Sequence, residues 1–195
     1  MREKLSRKKE VARMNLANKI TISRIILVPF LISFLFLPGK WGIVISFFIF
    51  VLACLSDWVD GYVARKNSQI TTMGKIMDPV ADKVLVYSML ICFVYLHIVP
   101  FWMVIILIAR DFLVMALRVE VAFRKVILTP TFTAKFKTVL EYGVILFSFF
   151  YMFFSISYSV SFLKVAIYLS MSLTLVFAIV SAVQYLLEGR RILVK

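Results

Sequence analysis

Six apolar runs divide the 195-residue chain, near residues 20–38, 42–65, 76–97, 100–122, 134–156 and 162–187. A bilayer hydrocarbon core about 30 Å thick needs about 20 apolar residues per helix, and each run is long enough. The breaks are short and carry Pro, Gly or charge: Pro38-Gly39-Lys40, Lys66 to Met73, His97 to Pro100, Arg124 to Thr133, and Ser155 to Ser161. With 63% hydrophobic residues, 19 Phe and a mean hydropathy of +0.98, too little polar surface is left to cover a soluble globule. The expected fold is an all-α integral membrane protein. Residues 1–19 are expected to be a basic cytoplasmic juxtamembrane segment, read as a short helix, and residues 20–190 one domain of six transmembrane helices.

A net charge of +13 raises the question of nucleic acid, but most of the 23 Lys and Arg sit at the ends of apolar runs, which is a topology signal. No nucleic-acid partner is expected. Six spans put both termini on one side, with the basic N-terminus, Lys66, Lys75, Arg124, Lys125, Lys135, Lys137, Arg190, Arg191 and Lys195. Lys40 and Lys164 fall on the other. By the positive-inside rule the first side is cytoplasmic, and the chain is expected in the cell (inner) membrane. Residues 2–13 hold six basic and two acidic residues, with Leu5, Ala12 and Leu16 on roughly one helical face. This suits either a helix lying on an anionic bilayer surface or a disordered basic tail. No A-x-A-like cleavage site follows the first run, so it is expected to be retained. Cys54 and Cys92 lie inside apolar runs and read as reduced, packed thiols. Trp41 and Trp102 read as interfacial anchors.

Four of the ten acidic residues, Asp57, Asp60, Asp78 and Asp82, fall within 26 positions. Ionisable groups at membrane depth are costly, so a cluster of them implies counter-ions and a function. The second run heads toward the cytoplasm and the third away from it, which brings both pairs to the same depth. Spacings of three and four place each pair on one helical face, and a hairpin can turn both faces to one pocket. Carboxylates converging there would repel without cations, and an oxygen-only donor set suits Mg²⁺, Mn²⁺ or Ca²⁺ rather than zinc. One or two such ions would bind a phosphorylated ligand, and a pyrophosphate bridged by two ions fits phosphoryl transfer.

Gly61, Ala64 and Gly74 remove bulk beside these acids. By themselves they would signal only close helix packing, but next to four carboxylates they leave room for a flat ligand. Arg65 follows, suited to a phosphate or to neutralising an aspartate. A second, basic group is expected to face the first: Arg110 and Arg118, eight residues apart on the fourth run, with Lys135 and Lys137 opening the fifth at the same level. These four suit an anion. Arg110 lies too deep to be a topology signal alone. Asp111, Glu120 and Glu141 read as structural partners for the cations.

The pattern Asp57-x-x-Asp60-Gly61-x-x-Ala64-Arg65, eight residues, then Gly74-x-x-x-Asp78-x-x-x-Asp82 resembles the signature of the CDP-alcohol phosphotransferases. The resemblance implies a six-helix, homodimeric membrane enzyme that transfers a phosphatidyl-type group from a CDP-linked donor to an alcohol and releases CMP. By position it makes Asp57, Asp60, Asp78 and Asp82 ligands of Mg²⁺ or Mn²⁺, two ions in all, with Asp82 also the general base. Asp57, Asp60, Gly61, Ala64, Arg65 and Gly74 would bind CDP. Within the family, similarity to the bacterial phosphatidylglycerophosphate synthases extends over nearly the whole length. It includes Asn15-x-x-Asn18-x-x-Thr21-x-x-Arg24-x-x-x-x-Pro29, Ala109-Arg110-Asp111, Leu117-Arg118, Lys135-x-Lys137-Thr138 and Tyr185 to Arg190. Ala17 stands where Pro is expected and Asp111 where Glu is expected, both away from the metal site.

That branch implies CDP-diacylglycerol as donor and glycerol 3-phosphate as acceptor. The dianionic acceptor needs a cationic pocket, which Arg110, Arg118, Lys135 and Lys137 would supply. The same chemistry on inositol phosphate or phosphatidylglycerol is the nearest alternative. A divalent-cation transporter and a structural subunit are the alternatives of other classes. Acids confined to one end of two helices, with no matching half-site elsewhere, argue against transport.

Overall fold

The computed structural model describes residues 16–66, 72–123, 131–156 and 160–193, and side chains within 23–56, 80–121, 131–156 and 160–190. Six helices account for nearly all of this: α1 (Leu16–Leu35), α2 (Lys40–Lys66), α3 (Thr72–Tyr95), α4 (Phe101–Phe123), α5 (Phe132–Ser155) and α6 (Ser161–Leu193). No strand occurs among the described residues. Each helix overlaps one expected apolar run, with ends that differ by a few residues. α6 continues past the expected end near 187, through Gly189 to Leu193. The basic segment before Leu16 lies outside the described residues.

By length and composition, α5 and the Ser161–Arg190 part of α6 are apolar enough to cross a membrane. Among the described side chains, α1 and α2 carry the apolar stretches Ser23–Leu35 and Lys40–Ser56. α4 is interrupted by Arg110, Asp111, Arg118 and Glu120. The outer surface of α6 is apolar too, since Leu169, Leu173, Val176, Ile179, Val183 and Leu186 are all exposed. A helix facing water would place polar residues there, so this surface suits a lipid environment.

The chain divides into two compact units, residues 1–88 and 89–195, with the division inside α3. In the first, α1 packs on α2. Val28, Leu31, Leu35, Ile43, Phe50 and Ala53 are buried there, and the Ser46 hydroxyl donates to the Leu31 carbonyl. The turn and the start of α2 each need a glycine, for different reasons. Gly39 adopts φ +92°, and a Cβ on Gly42 would lie 2.6 Å from the Phe34 carbonyl oxygen. Arg24 is also buried in this unit, at 2% exposure. Neither cysteine is joined in a disulfide, as expected; Cys54 is half-buried and Cys92 buried.

In the second unit α6 packs against both α4 and α5. Its buried stripe, Leu163, Ile167, Met171, Thr174, Ala178, Ser181 and Tyr185, repeats every three or four residues, as one face of a helix must. Phe93 meets Phe149 edge to face, with ring centroids 5.5 Å apart. The end of α3 closes with paired bonds, Ile98 N–H to the Phe93 carbonyl at 2.9 Å and His97 N–H to the Val94 carbonyl at 3.0 Å. This reversal puts His97 at φ +57°, in a left-handed position usually given to glycine.

Candidate active site

The acidic motif lies on two consecutive helices. Because α2 is continuous to Lys66, Asp57, Asp60, Gly61, Ala64 and Arg65 fall on its last turns. Because α3 is continuous from Thr72, Gly74, Asp78 and Asp82 follow at four-residue intervals along one face. The helical geometry that the spacing requires is therefore present on both sides of the gap. Asp82 is half-buried. The side chains of Asp57, Asp60, Gly61, Ala64, Arg65, Gly74 and Asp78 lie outside the described residues, as do those of Asn18 and Thr21. Among the described residues, no three His, Cys, Asp or Glu side chains come together as a metal site. Asp57, Asp60, Asp78 and Asp82 offer only carboxylate oxygens, the donor chemistry that suits a hard divalent cation.

The basic residues form a network in the second unit. Arg110 Nε donates to the Ala178 carbonyl at 3.0 Å, Nη1 to Asp111 Oδ1 at 2.6 Å, and Nη2 to the Ser181 hydroxyl. Its guanidinium is thereby tied to α6. Lys137, 1% exposed, donates to both Asp111 oxygens at 2.9 and 2.8 Å and is ion-paired with Glu141 one turn on. Two cations and two carboxylates interlock, so their formal charges cancel. Buried carboxylates need such partners. Asp111 and Glu141 thus have the structural role expected of them, while Arg110 and Lys137 are engaged by carboxylates rather than presented bare.

Arg118 and Lys135 differ, since both are exposed. Arg118 lies over the Tyr185 ring, 4.7 Å from its centroid, and donates from Nη2 to the Tyr185 hydroxyl. The same hydroxyl accepts the Thr131 backbone N–H at 3.1 Å. Thr131 caps α5: its hydroxyl accepts the Ala134 N–H at 3.3 Å. Beside it the Thr133 hydroxyl donates to Gln184 Oε1 at 2.6 Å. Sequence reasoning assigned no role to Tyr185, Thr131, Ser181 or Gln184. The available signal was the small and polar stripe Thr174, Ala178 and Ser181 on α6, whose register leads to Tyr185 and marks a face in close contact with its neighbours.

The family model for CDP-alcohol phosphatidyltransferases matches residues 14–184, a span holding both the acidic motif and the basic network. The chain belongs to this family. Among individual relatives, a CDP-diacylglycerol–glycerol-3-phosphate 3-phosphatidyltransferase of Bacillus subtilis (strain 168) is 38% identical over 136 residues, covering 64% of this chain and 70% of that protein. A protein of the same name from Rickettsia typhi is 37% identical over 127 residues, 65% of this chain and 71% of its own length. A third, from Wigglesworthia glossinidia brevipalpis, is 42% identical over 110 residues, or 54% and 59% of the two chains. In this CDP-alcohol phosphatidyltransferase the matched region includes every residue of the acidic motif, and Tyr185 immediately follows it.

Proposed function

We propose that this chain transfers the phosphatidyl group of CDP-diacylglycerol to sn-glycerol 3-phosphate, giving phosphatidylglycerophosphate and CMP for phospholipid synthesis. The observation that carries the reading is the unbroken eight-residue motif, Asp57 to Asp82, laid on two continuous helices in a chain of this family. The activity for which the relatives are named supports the choice of donor and acceptor.

Asp57, Asp60, Asp78 and Asp82 would hold Mg²⁺ or Mn²⁺, two ions in all, whose charge offsets that of the CDP pyrophosphate. Gly61, Ala64 and Gly74 leave space for the nucleotide, and Arg65 supplies a cation beside it. Asp82 accepts the proton of the acceptor's C1 hydroxyl as that oxygen attacks the phosphorus bearing the diacylglycerol. The new P–O bond forms as the bond to the CMP oxygen breaks, and CMP leaves with that electron pair. Holding the acceptor hydroxyl in line with the phosphorus is the main contribution expected of the site.

For the acceptor's phosphate, the exposed Arg118 and Lys135 make direct contact in this reading. Arg110 and Lys137, already neutralised by Asp111 and Glu141, contribute in this reading by holding the packing around that pocket in place. All six helices span the bilayer of the cell membrane as a homodimer, with both termini and the site on the cytoplasmic side. The support for this arrangement is the run lengths, the distribution of Lys and Arg, and the family's pattern.

The test is CMP release by the purified protein in detergent with CDP-diacylglycerol and Mg²⁺, comparing glycerol 3-phosphate, inositol phosphate, serine and phosphatidylglycerol as acceptors. Release that requires glycerol 3-phosphate is expected. Release with another acceptor alone would overturn the choice of acceptor, and release with none would overturn the reaction.

A further inference from the structure

Tyr185 sits where three helices of the second unit meet. It is fully buried on α6, yet its hydroxyl accepts from Arg118 on α4 and from the backbone N–H of Thr131, which caps α5. One turn on, Gly189 allows this approach: a Cβ there would lie 2.6 Å from Cδ2 of Leu117, the neighbour of Arg118. The guanidinium is held by two forces that fix different degrees of freedom. The ring face beneath it fixes its height, and the hydroxyl fixes its rotation.

A long exposed arginine otherwise loses much side-chain freedom when it grips an anion, at a cost to affinity. Here that restriction is built in before the ligand arrives. Nη2 directs one N–H at Tyr185, and the remaining N–H groups of the planar fork, which have no other hydrogen-bond partner among the described residues, are presented in a fixed plane, the geometry that binds a phosphate in two-pronged fashion. Lys135 begins the next turn of α5 after Thr131, so the tyrosine also ties the helix start that carries the second exposed cation.

We infer that Tyr185 is a positioning residue for glycerol 3-phosphate, acting through Arg118 and without touching the substrate. The inference rests on the acceptor reading above. It separates a recognition effect from a general packing effect, because the hydroxyl can be removed while the ring and its packing stay.

The test is steady-state kinetics of Tyr185→Phe, Tyr185→Leu, Arg118→Lys and Arg118→Ala, with each substrate varied in turn. Tyr185→Phe is expected to raise KM for glycerol 3-phosphate about 5- to 10-fold, the equivalent of about 1 to 1.4 kcal/mol and of one hydrogen bond. kcat and the KM for CDP-diacylglycerol should stay within about twofold. Tyr185→Leu, which also removes the ring, should raise the acceptor KM further. In the Arg118→Ala background, Tyr185→Phe should add little. If Tyr185→Phe does not purify as a folded protein, Arg118→Lys tests the same geometry: it keeps the charge but not the fork, and the acceptor KM should still rise.

A Tyr185→Phe enzyme with an unchanged acceptor KM, or with both substrates' KM raised alike, would overturn the positioning role. So would a wild-type acceptor KM in Arg118→Lys. If Arg118→Ala itself leaves the acceptor KM unchanged, the acceptor reading fails along with it. If Arg118→Ala raises KM and the tyrosine variants do not, only the positioning role fails.

Discussion

Lys137 and Asp111 form a two-pronged ion pair inside the second unit, with Nζ 2.9 and 2.8 Å from the two carboxylate oxygens. Both side chains are nearly sealed, at 1% and 7% exposure. Breaking a buried pair from one side leaves an uncompensated charge, which costs about 3–5 kcal/mol, far more than an exposed pair contributes. Lys137→Met keeps the length of the side chain and strands both Asp111 and Glu141. It is expected to lower the thermal midpoint in detergent by several degrees or to prevent folding. Added salt should not reproduce the loss, because buried pairs are poorly screened. A midpoint equal to wild type would show that the pair contributes nothing to stability.

The turn after α3 holds His97 at φ +57°, a conformation that costs a residue with a Cβ about 1–2 kcal/mol. Glycine removes that strain but gains freedom in the unfolded chain, so His97→Gly should stabilise by no more than about 1 kcal/mol. His97→Val, with a branched Cβ, should destabilise. Paired thermal melts check the two signs, and the same direction for both variants would contradict the backbone argument.

Gly42 is constrained by space instead. A Cβ there would meet the Phe34 and Leu37 carbonyl oxygens at 2.6 and 2.8 Å, and backbone atoms cannot swing aside as a side-chain end can. Gly42→Ala is therefore expected to cost about 1–3 kcal/mol by forcing α1 and α2 apart. Gly189→Ala meets only the end of the Leu117 side chain and should cost less. Ranking the two by chemical denaturation tests the distinction.

The helices were legible because apolar run length and the Pro, Gly and charge breaks are local properties. Pro38-Gly39 and His97 to Pro100 mark the turns that form. The acidic motif was legible for the same reason, since i, i+3 and i, i+4 spacing needs only a helix to become a shared face. What the sequence did not disclose was how the cations divide. Arg110, Arg118, Lys135 and Lys137 look alike as charges, yet Arg110 and Lys137 are bound to carboxylates while Arg118 and Lys135 are exposed. That difference depends on which helices meet. Tyr185 lies 67 positions from Arg118 and 54 from Thr131, and no spacing rule links positions so distant.

Asp82 is the carboxylate on which base catalysis is proposed to depend, and it lies two turns along α3 from Gly74. Asp82→Asn preserves size and most hydrogen bonding but removes the proton acceptor and one negative donor. CMP release is expected to fall by about 10²–10⁴-fold, the usual span for loss of a positioned acid or base. If the residue acts chiefly as a cation ligand, raising Mg²⁺ or Mn²⁺ should recover much of the rate. If it acts as the base, saturation with metal should leave kcat low. Chelation of divalent ions is expected to stop the wild-type reaction reversibly, with activity returning when Mg²⁺ is restored. An Asp82→Asn enzyme with wild-type kcat would exclude the residue from both roles, whereas activity that survives exhaustive chelation would exclude metal participation and with it the reason for gathering four carboxylates on two helices.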